Sequence, residues 1–192
     1  MCFVAVCNGS TLHVSYNNLS RPYDTLDQAA IEAVQDSYAR SNHYEFGGVL
    51  VFNKKTHKYY YQIPSTDLSI DSVSVNHDVK FTDPDLIVVS EFHTHTCFPY
   101  THYPTGFSPN DVFNYMVLGE VGYMGNFCNG IVQKWDPTDL RFLEELDGAG
   151  PYGVDRQTVY WGDPVGKIRL NKTPDIQESI LDIPFNLLED IR

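Results

Sequence analysis

The chain has 192 residues, with 25 acidic side chains against 13 basic ones, 7 histidines, a formal net charge of −12, and 42% hydrophobic and 14% aromatic residues. A chain of this size buries roughly 70% of the surface its unfolded form exposes, so it needs no staple to fold, and its apolar content excludes a disordered or collagen-like polypeptide. The surplus of acid argues against sequence-independent binding to nucleic acid, and the apolar runs fall far short of the ~20 residues that span a bilayer.

Taken in chain order, residues 1–16 alternate loosely and predict one or two strands around the Asn8-Gly9 turn. Met1–Cys7 is too short and too poor in basic residues for a signal peptide. The expected location is therefore cytoplasmic, or a target cell reached without a leader. Thr25-Leu26-Asp27-Gln28 has the form of a capping box, and Leu26, Ala30, Ala33, Val34 and Tyr38 recur at helical spacing, predicting a helix over 25–40. Residues 46–52 read as a buried strand, 58–63 as its hairpin partner, and Ser72–Val75 as a further short strand.

Leu86–Val89 is β-rich and continues to His95, predicting the central strand. A loop rich in proline and aromatics follows, Thr96–Phe107. Ser108 then caps a helix that has Pro109 at its first position and ends at Gly119. Residues 130–135 predict another strand, Thr138–Leu146 a short helix, and 147–153 a linker. The segmentation is an N-terminal strand extension at 1–23, a core at 24–147, and at 148–192 an extension packed on the core or an arm that meets a partner. Cys2, Cys7, Cys97 and Cys128 form no CxxC pair, so free buried thiols and a reducing compartment are expected.

The chemistry concentrates where cations are missing. No Lys or Arg lies between Lys80 and Lys134. Within that stretch His93 and His95 share one face of a strand and Thr94 points away, so two imidazoles stand side by side as half of a zinc site. Alone, such a pair is a weak signal. Asp111 suits a helix N-terminus without any metal, yet a carboxylate in that first turn also reaches the end of the preceding strand. Glu45, between a helix and a buried strand, reads by itself as a solvated loop residue.

Together and in this order, Glu45 with Gly48-Val49-Leu50, His93-Thr94-His95, and Ser108 with Asp111 resemble the JAMM (MPN+) metallopeptidase family. Over residues 24–135 the likeness is nearest to the JAMM-like domains of bacterial Rhs and other polymorphic toxins. The twelve-residue loop Thr96–Phe107 is longer than usual in that family, and Thr96 replaces its common proline.

The resemblance implies an α/β (α+β) fold, a single domain with a central mixed β-sheet flanked by helices. It implies one Zn²⁺ held by His93, His95 and Asp111, with Glu45 as general base and Ser108 as oxyanion donor, hydrolysing a peptide or isopeptide bond. Glu91, on the same strand face as the histidines, is either an orienting partner or an alternative base. His102 and Phe107 in the loop are candidate substrate contacts. The implied partners are a protein or peptide substrate and a cognate immunity protein or carrier. A second reading is a non-catalytic MPN-like scaffold, whose members usually lack the ligands present here. Zinc-dependent deamination is disfavoured by the absence of its H-x-E and P-C-x-x-C signatures.

Overall fold

Thr25 accepts a hydrogen bond from the Gln28 amide (3.2 Å) and so starts helix α1, Leu26–Arg40, where the capping pattern predicts it. Asp27 in its first turn and Arg40 in its last complement the helix dipole. Ala29, Ala30, Ala33 and Val34 are fully buried along one face, and their small size lets the helix lie close to the surface beneath. That surface is a sheet. The structure, a computed structural model, describes residues 12–14, 18–76, 79–97, 105–139 and 159–170.

The described residues form a single α+β domain around a six-stranded mixed sheet of order β3-β2-β5-β6-β7-β8. Its strands are β2 Gly47–Asn53, β3 Lys58–Tyr61, β5 Leu86–His95, β6 Val121–Asn126, β7 Ile131–Trp135 and β8 Asp163–Lys167. A small parallel pair, β1 Leu12–Val14 with β4 Val79–Phe81, forms a second sheet. In the large sheet β5 and β6 are parallel and every other neighbouring pair is antiparallel. A parallel pair needs a crossover, and helix α2, Pro109–Leu118, lies in the connection from β5 to β6.

The two helices cover opposite faces. Leu50, Phe92, Tyr123 and Val132 pack against α1, whereas Met124 and Trp135 pack with Phe107, Val112, Tyr115 and Tyr160 on the α2 side. Strand alternation explains the division, since Tyr123 and Met124 are adjacent residues with opposed side chains. Glycines in β6 let both helices approach. A Cβ at Gly122 would stand within the hydroxyl end of the Tyr115 ring, and one at Gly125 would collide with Val34. Gly122→Ala is therefore expected to cost about 3 kcal/mol, the upper end of overpacking, and to lower Tm by roughly 6–12 °C in a thermal melt.

Those glycines also hide β6 from sequence reading, because two in six residues erase the strand signature. Ser72–Val75, expected as a strand, is not one. Val73 and Val75 do pack beside Gly47, but the free edge of Gly47 is already taken by reciprocal backbone hydrogen bonds with Ser65 (2.9 and 3.0 Å). Beyond the linker, Tyr160 is buried beside Phe107 and Trp135, and β8 completes the sheet, so these residues are packed on the core. Residues 1–11, the linker 147–153 and most of the helix expected at 138–146 lie outside the described residues; Thr138 and Asp139 stand in a turn capped by Asp136. Among the described residues no helix is long and apolar enough to cross a membrane.

The expectation of four free thiols is corrected. Cys97 and Cys128 form a disulfide across a sequence separation of 31, their Cα atoms 4.7 Å apart, and the inference of a reducing compartment loses its premise. The link joins the chain just past β5 to the turn after β6. Closing a loop of this length restricts the unfolded chain by about 3–4 kcal/mol in the chain-entropy account. Reduction is thus expected to lower Tm by roughly 6–15 °C, read from melts with and without a thiol reductant.

Candidate metal centre

The C-terminal end of β5 carries His93 and His95 on the face turned toward α2, as their i, i+2 spacing requires. Opposite them, Ser108 caps α2 and accepts a hydrogen bond from the Asp111 amide at 3.3 Å, while the Asp111 carboxylate accepts one from the Ser108 amide at 2.7 Å. This full capping box aims Asp111 back toward the strand end. The bland role of Asp111 as a helix cap and its role as a ligand are thus one arrangement.

Three donor atoms converge there. The two Nε2 atoms lie 3.1 Å apart, and Asp111 Oδ2 is 3.4 Å from Nε2 of His93 and 3.5 Å from that of His95. Donors placed tetrahedrally at about 2.0–2.1 Å from an ion stand roughly 3.3 Å from one another, so this buried triangle fits a small divalent cation. The group could hold a metal ion.

The electrostatics agree. Burial opposes charge on His93, but the Asp111 carboxylate outweighs it and raises the imidazole to about 9. Burial would raise Asp111 too, yet the charge and hydrogen bonds of His93 and His95 hold it well below the usual carboxylate range. Without a metal, a proton shared by this pair supplies the positive charge. A cation held by these residues would compete with that proton, so its affinity would fall as pH falls.

Glu45 reaches the site through sheet register. Gly47 pairs with His93, and Phe46 exchanges hydrogen bonds with Thr94, its amide donating to Thr94 Oγ1 and its carbonyl accepting from the Thr94 amide, both at 2.9 Å. Continued by one residue, that register sets Glu45 across from His95. Thr94, pointing away from the ligands, thus fastens the segment bearing Glu45. Glu45 is 5% exposed, and burial first of all pushes its carboxyl up to about 7, with His95 and His93 pulling it down and Asp111 adding to the rise.

The remaining expected residues divide. Glu91 is buried on the histidine face and hydrogen-bonds the Tyr115 hydroxyl on α2. Phe107, expected as a substrate contact, is instead fully buried, edge-on to His93, Tyr115 and Trp135. Its backbone bridges to Tyr160, and this pairing draws the end of the long loop into the core. His102 lies outside the described residues. Sequence reading missed Tyr115, whose hydroxyl is 3.0 Å from His93 Nδ1. Its signal was the four-residue spacing from Asp111, which puts both on one face of α2.

No family model matches the chain, and neither does any curated protein or solved structure.

Proposed function

We propose that this protein is a zinc-dependent hydrolase of peptide or isopeptide bonds. The observation that carries the reading is the buried convergence of His93, His95 and Asp111 at a strand end where the register also delivers a buried glutamate. Two imidazoles and one carboxylate in a near-equilateral triangle are a donor set that suits zinc and leaves further coordination open. Bound there, the ion would supply Lewis acidity, polarising the carbonyl under attack and bringing the ionisation of water near neutral pH.

The chain's own residues then have distinct tasks. Glu45 takes the proton from the attacking water and returns it to the leaving nitrogen as the C–N bond breaks. Burial keeps this carboxyl near the pH at which it can do both. Ser108 uses a lone pair as helix cap, which leaves its hydroxyl hydrogen to donate to the oxyanion. Glu45 suits the base role better than Glu91, whose carboxylate is engaged by Tyr115.

The test is metal content of the purified protein without chelator, followed by incubation with a panel of peptides and isopeptide-linked substrates. Stoichiometric zinc with cleavage that stops on chelation supports the reading. A protein that takes up no zinc at neutral pH overturns it.

A further inference from the structure

A histidine that binds a metal through Nε2 must carry its proton on Nδ1, so something must fix that tautomer. His93 Nδ1 lies 3.0 Å from the Tyr115 hydroxyl oxygen, and that hydroxyl also hydrogen-bonds the side chain of Glu91. Tyrosine has a single proton to donate, whereas a carboxylate can only accept. Glu91 therefore accepts the hydrogen bond that the tyrosine hydroxyl donates, and the tyrosine oxygen is left to accept from His93 Nδ1–H. The reverse order would leave Glu91, only 7% exposed, without that donor, and would put the imidazole proton on Nε2, where it blocks a metal.

We propose that Tyr115, backed by Glu91, is a positioning residue of the metal centre that holds His93 by its Nδ1–H, so that Nε2 is the ring nitrogen facing Asp111 and His95. This rests on the reading of those three residues as ligands. The packing supports it. Tyr115 is fully buried, its ring is edge-on to Phe107, and Gly122 provides the space its hydroxyl end occupies. The tyrosine therefore has little freedom to release the imidazole. Asp111 and Tyr115 sit one turn apart on α2, so a single helix supplies one ligand and orients another.

The experiment measures Zn²⁺ affinity by chelator competition for the wild type, Tyr115→Phe, Glu91→Gln and the double variant. It is paired with histidine ¹⁵N–¹H NMR of the zinc-loaded wild type. Tyr115→Phe is expected to weaken zinc binding roughly 10–100-fold, the usual effect of losing an outer-shell partner. Glu91→Gln should weaken it less, and the double variant should be no worse than Tyr115→Phe because the two act in series. In the wild type the His93 Nδ1 proton should be visible and slow to exchange. An unprotonated Nδ1 in that spectrum overturns the proposal even where a variant fails to fold. So does zinc binding by Tyr115→Phe within about threefold of the wild type. A wild type that binds no zinc is a different result, which removes the ligand reading and the proposal with it.

Discussion

Glu45→Gln is expected to retain zinc while hydrolysis falls roughly 10²–10⁴-fold, the usual contribution of a positioned general base. Glutamine keeps the size of the side chain and loses only its capacity to take a proton. The same variant carries an independent signature in the metal-stripped protein. Burial raises the Glu45 carboxyl from 4.5 to about 7, so folding favours its protonated form. Its favourable contribution is fully present below about 4.5 and is lost as pH rises toward 7, because the ionised group is then held in a site that disfavours it. The loss is on the order of 1–3 kcal/mol. Relative to the wild type, the stripped glutamine variant should therefore gain stability between pH 4 and pH 8, by several degrees in Tm. Full hydrolysis by zinc-loaded Glu45→Gln would shift the base role elsewhere, with Glu91 the next carboxylate to replace.

The second large effect is expected from His93→Ala. A ligand that binds only the folded protein stabilises it by about 2.7 kcal/mol at a hundredfold excess over Kd and about 4.1 at a thousandfold. Adding zinc to the stripped wild type should accordingly raise Tm by roughly 5–16 °C. His93→Ala should show no such rise and no hydrolysis above background. The ligand triangle loses one corner, and half-buried Asp111 loses the imidazole that offsets its charge. Stripped His93→Ala is a necessary companion measurement, since removal of one member of a buried pair itself destabilises by about 3–5 kcal/mol. The zinc-induced change in Tm separates the two causes. An undiminished zinc response in this variant would place the metal elsewhere.

Local signals carried much of the fold. The Thr25 cap, the Ser108-Pro109 start of α2 and its end at Gly119, with φ 66° in the left-handed region, are each decided by one or two residues, and the structure has them where the sequence predicts. The hairpin was legible for the same reason, with Asn53 Oδ1 accepting from the Lys55 and Thr56 amides in its turn. Signals that depend on partners were not. Val73 and Val75 alternate like a strand, but pairing needs a free edge, and Ser65 already occupies it. Strand β6 has too little β character of its own and is held between two helices by what its glycines permit.

The candidate site shows the same division. Sequence alone determined the types and local directions of its residues: two imidazoles on one strand face, a carboxylate in the first turn of a helix, and a glutamate ahead of a buried strand. These follow from backbone periods of two and of 3.6 residues, which any short segment carries within itself. Only the tertiary structure decided which of them meet. The antiparallel register of β2 on β5 brings Glu45 toward His95, and the crossover through α2 brings Asp111 to both histidines and Tyr115 to His93. It also turned Phe107 into core and joined Cys97 to Cys128. Such meetings are set by pairing register and by packing between segments far apart in the chain, which no local period encodes.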